Sequence, residues 1–181
     1  MKIQLVKFGS LMLILAIANF SCSGGGEQSS PSEKVERPTQ PAAVQKAEVT
    51  PEEIGQKVGE LYVQAMSDLA AALKVKPAVS DVQDKIEAMR EEYINKLVEL
   101  GKLREKLEPA DRSKVDSQIR MKASSIYNTP DYSTFNEIQQ HYFSEREFHK
   151  VVLSFNIITQ YASFELLKKQ EPEEAARLGI Q

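Results

Sequence analysis

From Thr50 onward the apolar side chains recur at intervals of three and four, the period of one helix face. Ile54, Val58, Leu61, Ala65, Leu69 and Leu73 form the first stripe. Thr50, Pro51 and Glu53 mark its start, as a capping threonine, a proline at the first helical position and a glutamate that closes a capping box. Pro77 stops it, and Lys74 and Lys76 suit the negative end of the helix dipole. A second, longer stripe runs through Val82, Ile86, Met89, Tyr93, Leu97, Leu100, Leu103 and Leu107. Ser80 is its predicted cap and Gln83 the box partner. Acidic residues crowd its first half (Asp81, Asp84, Glu87, Glu91, Glu92) and basic ones its second (Lys96, Lys102, Arg104, Lys106), which complements the dipole. A thinner stripe, Val115, Ile119, Ala123 and Ile126, opens at Pro109.

Tyr127-Asn128-Thr129-Pro130-Asp131 is a break with turn chemistry. Thr134 and Glu137 predict a capping box for a short helix carrying Phe135, Ile138, Tyr142 and Phe143. Ser144 and Glu147 predict another, and with it a break or kink. From Ser144 to Lys169 apolar residues fall nearly all round, which predicts a helix covered on most sides and the centre of the fold. Pro172 and Gly179 bracket a short last helix. No fixed-period repeat and no strand alternation competes with this pattern. The expected fold is all-α: a single helical bundle of five to six helices over residues 50–181. The long second stripe also allows a dimeric coiled-coil seam.

The first 49 residues follow a different grammar. Lys2 and Lys7 precede an apolar run from Phe8 to Phe20, and small or polar residues follow at once. A charged start, a short apolar core and a small-residue exit predict a secretory signal peptide over residues 1–21. The run is short for a membrane span, which needs about 20 apolar residues. Cys22 is the single cysteine of the chain, so no internal disulfide can form. Residues 22–49, rich in Ser, Gly, Pro, Gln, Glu and Ala, predict a disordered tether with a root-mean-square reach of roughly 30 Å.

The leader resembles the precursors of bacterial lipoproteins, on the residues Asn19-Phe20-Ser21-Cys22. Ser21 and Cys22 fit that family's lipobox, while Asn19 and Phe20 stand where it has Leu and a small residue. The resemblance implies a diacylglyceryl group on the Cys22 sulfur, removal of the leader and an acylated Cys22 as the first residue. It implies a membrane attached through that lipid. Ser23 in place of the Asp that retains such proteins at the inner membrane implies the outer membrane, facing the periplasm, in a Gram-negative source. Ala16-Ile17-Ala18 offers a second exit, which would release a soluble protein with a free thiol.

Charge narrows the functions. Against 23 Lys and Arg stand 26 Asp and Glu, and loss of Lys2 and Lys7 widens the acidic excess. That argues against nucleic acid as a partner and against a polybasic membrane-surface protein. Arg112, Lys114, Arg120 and Lys122 give the third helix a local positive face, read as a solvated face or a docking patch for acidic groups.

Catalytic chemistry is thin. His141, Glu145 and His149 lie at i, i+4 and i+8. On one continuous helix adjacent members could share a metal, but the outer two would stand about 12 Å apart. No hydrolase, phosphate-loop, di-iron or haem motif occurs, and no cofactor is expected. The six tyrosines, at helical spacing, read as core or core-edge residues or as the lining of a groove. The expected function is therefore non-catalytic: a lipid-anchored envelope protein that presents a helical surface to a protein partner. An exported binder of an apolar ligand is the alternative, and requires a cavity lined by Phe148, Phe155 and Phe164. An enzyme would require His141, His149 and a carboxylate to converge.

Overall fold

Thr50 caps the first helix as its sequence dictates. Its hydroxyl accepts from the Glu53 amide at 3.2 Å, and the Glu53 carboxylate accepts from the Thr50 amide at 2.9 Å. The computed structural model describes residues 49–181. Among them the elements are α1 (Pro51–Leu73), α2 (Val79–Glu105), α3 (Pro109–Ser124), a 3-10 turn (Ser125–Asn128), α4 (Pro130–His141), α5 (Arg146–Ser154), a 3-10 segment (Phe155–Ala162), α6 (Phe164–Gln170) and α7 (Pro172–Arg177). The described residues are all-α and fall within one compact unit. The leader, Cys22 and the tether up to residue 48 lie outside them.

α1 is the element on which the others pack: α2, α3, α4 and the 3-10 segment all lie against it. Most of its stripe is closed off, with Val58, Ala65, Leu69 and Leu73 at zero exposure, while Leu61 is half-buried. Gly55 and Gly59, one turn apart, let α3 approach the α1 backbone. A Cβ at Gly55 would meet the Val115 carbonyl oxygen at 2.5 Å.

Two caps differ from expectation. α2 begins at Val79 with Ala78 in the capping position, and no side chain caps it. Lys76 adopts a left-handed backbone (φ 54°), and with Pro77 it turns the chain so tightly that helical geometry resumes ahead of Ser80. The Ser80 hydroxyl donates to Asp81 instead, and Gln83 bonds Glu87. α4 begins at Pro130, not near Thr134. Thr129-Pro130 repeats the grammar of Thr50-Pro51, and the Thr129 hydroxyl accepts from the Tyr132 amide at 3.4 Å.

The stretch from Ser144 to Lys169 is a correction of a larger kind. It is not one enclosed helix but α5, the 3-10 segment and α6. α5 starts at Arg146 after Glu145, so Ser144 caps nothing. The Ser154 hydroxyl donates to the Val151 carbonyl at 2.6 Å where α gives way to 3-10. Ser163 is extended and breaks the chain again. The inner side, Phe148, Val152, Phe155, Ile158, Tyr161 and Leu167, is buried. The outer side leaves Leu153, Ile157 and Leu166 exposed, so the segment is one wall of the core and not its centre. This splitting raises the element count above the five to six helices expected. No helix among the described residues is long and apolar enough to cross a membrane.

Candidate functional site

The break between α4 and α5 decides the fate of the histidine pattern. His141 is the last residue of α4, Glu145 precedes α5, and His149 lies within α5. Each imidazole packs against an aromatic ring of the intervening turn: His141 on Tyr142, centroids 4.6 Å apart, and His149 on Phe143, 5.6 Å apart. Among the described residues no group of three or more His, Cys, Asp and Glu side chains is placed to hold a metal ion.

The aromatic side chains expected around a ligand cavity are packing elements. Phe148 and Phe155 are buried in the core, and Phe148 meets Tyr142 edge-on at 4.9 Å. Phe164 lies against Gly101 of α2, its ring 2.5 Å from where a Cβ would stand. A shallow depression of about 450 Å³ lies elsewhere, between α1 and α2, where Leu61 and Leu100 are bordered by Lys57, Glu60, Lys96 and Glu99.

Interior polar groups are mostly spent on one another, the Oε1 of buried Gln160 being the exception among the described residues. The Tyr93 hydroxyl donates to Asp68 and the Tyr62 hydroxyl to Asn156 at 3.2 Å. Arg90 donates to Tyr161 at 2.7 Å and to Ser154 at 2.8 Å, while the Tyr161 hydroxyl donates to Glu174 at 3.0 Å. Arg177 closes this group by pairing with Glu174 and Glu91. Its hydrogen bond, ahead of the Tyr161 and Arg90 contributions, holds the Glu174 carboxyl below its ordinary value even though burial opposes this. Burial is the main cause that pushes the Tyr161 hydroxyl up.

Arg104 is one of the basic residues in the second half of α2 that complement its dipole. It is 3% exposed and grips Asp116 of α3 through two bonds of 3.1 Å. The basic face of α3 is largely neutralised: Arg112 pairs with Glu105 and Glu165, Lys114 with Asp111, and Lys122 with Glu60.

One end of the bundle is built differently. α1 and α4 finish there, and α2 and α5 begin. The Tyr142 hydroxyl donates to the Pro77 carbonyl at 2.7 Å, and Lys76 pairs with Glu137 at 3.3 Å, so the α1–α2 turn and the α4–α5 turn are clasped together. From these two turns project the most exposed large apolar side chains among the described residues, Val75 at 84% and Phe143 at 73%. Neither family models nor curated proteins nor solved structures match this chain. The site therefore rests on its own geometry. Two apolar tips stand on rigid turns, with Lys74, Lys76, Arg146 and Lys150 close by in sequence and two imidazoles behind. Such a set can insert and adhere, and it carries no nucleophile paired with a base. The sequence held one signal for it: Val75 is an apolar residue between two lysines, off the α1 stripe and two residues before a proline.

Proposed function

We propose that this chain is a lipid-anchored cell-envelope protein whose helical domain is a non-catalytic interaction module. The leader pattern and Cys22 support the anchor, with the outer membrane facing the periplasm as the site in a Gram-negative source. One observation carries the module: the charges and hydroxyls that the packing encloses are mostly paired with one another, while several large apolar side chains are left on the surface. Buried and half-buried charges and hydroxyls tie one element to another, as in Arg90–Tyr161–Glu174 and Arg104–Asp116. Meanwhile three of the eight exposed large apolar side chains among the described residues, Leu153, Ile157 and Leu166, come from α5 onward. His149, Leu153 and Ile157 follow at spacings of four along the outer side of α5 and the 3-10 segment, a strip on which a partner's apolar residues can close.

Two measurements test this reading. The intact mass of the protein extracted from its native membrane, beside a Cys22→Ala version, reports the anchor. An acylated chain beginning at Cys22, lost in the variant, is expected, and an unmodified chain beginning at Asn19 overturns the anchor. A photo-cross-linking residue at Leu153 or Ile157, in cells, reports the surface. A discrete adduct with one envelope protein, missing when the same residue replaces Lys85 on α2, is expected. No adduct at either position overturns the module.

A further inference from the structure

The clasped end of the bundle is the feature the proposed function leaves unused. Val75 and Phe143 are far apart in the chain, yet the hydrogen bond between Tyr142 and Pro77, 65 positions apart, holds their two turns side by side. Both turns are stiff. Lys76 holds a left-handed backbone that only a surrounding structure sustains in a residue with a side chain. Pro77 fixes the next dihedral. The ring of Phe143 is braced by His149, and that of Tyr142 by both His141 and Phe148. A large apolar side chain held in water on each of two adjacent turns leaves a hydrophobic gain that folding does not take up and that insertion into an apolar phase would.

We propose that this end is a membrane-contacting tip, at which Val75 and Phe143 insert into the boundary between lipid headgroups and acyl chains. Three observations select a lipid surface over a protein partner. The tips are single residues on separate turns, whereas a specific protein interface buries upward of about 1,200 Å² of contiguous surface. Interfacial insertion needs a depth of only about 5–10 Å, which protruding side chains can reach. Cations stand near both tips, Lys74 and Lys76 beside Val75, and Arg146 and Lys150 after Phe143 among the exposed Glu145 and Glu147, and long basic side chains of this kind extend to headgroup phosphates while their stems stay on apolar surface. Glu137 and Glu147 pair with Lys76 and Lys150, so the apolar tips supply most of the attraction and the charges set orientation.

The position of the tip is compatible with the anchor, on which the biological part of this inference rests. The 23 residues of α1 place the tip about 35 Å from Thr50, where the preceding segment joins. A chain running from Cys22 to that point can span up to about 90 Å, so both attachments can engage one membrane. Anchored by Cys22, the tip then acts at millimolar effective concentration, which makes a weak contact sufficient.

The test uses two features of the sequence: the chain holds one cysteine and no tryptophan. The chain from Cys22 onward is coupled through its thiol to a maleimide lipid in vesicles of phosphatidylethanolamine and phosphatidylglycerol, which supplies the anchor whether or not the cell does. Phe143→Trp, Val75→Trp and, as an exposed control on α3, Met121→Trp each carry one fluorophore. The expected result is blue-shifted emission, quenched by lipid-borne bromine, for Phe143→Trp and Val75→Trp and not for Met121→Trp. Replacing the other tip by serine lowers the inserted fraction on the order of tenfold. Unshifted emission at both tips in coupled vesicles overturns the proposal. So does a shift seen only when solubilised envelope proteins are added, which assigns the tip to a protein partner. A negative result here leaves the mass measurement on Cys22 unaffected, so the two readings fail separately.

Discussion

The Tyr142 hydroxyl donates to the Pro77 carbonyl oxygen at 2.7 Å, and this one bond joins the turn that follows α4 to the turn that follows α1. The phenol is otherwise buried, which pushes its ionisation up. Tyr142→Phe keeps the ring contacts with Phe148 and His141 and removes only the bond. It is expected to cost about 1 kcal/mol, seen as a lower urea midpoint with an unchanged slope. If the clasp positions Val75, the same variant speeds hydrogen exchange in residues 74–78 more than in α1, and equal exchange in the two regions would argue against the clasp.

Gly55 makes a sharper prediction, because two effects oppose each other. In an exposed helix, Gly→Ala stabilises by about 1 kcal/mol. Here a Cβ would stand 2.5 Å from the Val115 carbonyl oxygen and 2.6 Å from Gln118 Cβ. Backbone cannot swing aside as a flexible side chain can, so α3 must shift bodily. Gly55→Ala is expected to destabilise by about 1–3 kcal/mol in thermal or denaturant unfolding. A neutral or stabilising result would mean that α1 and α3 stand further apart.

How legible this molecule was follows from the range of each cue. The cap at Thr50, the proline that opens α3 at Pro109 and the stop at Pro77 are local, and they stand where the sequence puts them. The Thr129-Pro130 cap is equally local, but the turn residues around it carry the stronger signal of a break. Gly55 and Gly59 were two small residues one turn apart, and their meaning depended on which helix would arrive beside them. The division of Ser144–Lys169 was the largest miss. A run that is apolar all round fits a buried helix, but serine hydroxyls and tertiary packing turned it into a 3-10 wall with an outer face. The burial of Arg104 and the convergence of Val75 with Phe143 are products of topology, and no spacing rule reaches them. His141 and His149 were legible as a pair only on the assumption of a continuous helix.

Arg104 is the one basic side chain that the packing of the described residues encloses almost completely, and Asp116 is its principal partner. Asp116→Ala strands a guanidinium between α2 and α3 with only Glu105 left beside it. Loss of one partner of a fully buried pair costs about 3–5 kcal/mol, and because Asp116 is 38% exposed the expected cost is nearer about 2 kcal/mol. Arg104→Met with Asp116→Ala should recover part of that loss, since an apolar stem fills the space without an unpaired charge. The coupling in a double-mutant cycle is expected at about 1–2 kcal/mol. A coupling near zero would show that water, and not Asp116, solvates the guanidinium.

The two ends of the pH scale test the interior network through opposite signs. Glu174 sits below its ordinary value of 4.5, foremost because Arg177 hydrogen-bonds it. The unfolded chain therefore takes up the proton first. The stabilisation is complete above about pH 4.5 and is lost as pH falls through the folded value. Glu174→Gln should flatten the acid limb of stability against pH. At the other end, burial raises Tyr62 from 10.0 to about 12, and raises Tyr93, Tyr142 and Tyr161 as well. A raised value means that the folded chain keeps protons that the unfolded chain releases. This contribution is full below about pH 10 and declines as pH climbs toward the folded values. Stability is thus expected to hold to about pH 10 and then fall steeply. Tyrosinate absorbance should rise in the same cooperative step as the loss of helix signal. Smooth, non-cooperative titration of Tyr62, Tyr93, Tyr142 and Tyr161 while the helix signal persists would show that these four hydroxyls are open to water, and the interior network would have to be abandoned.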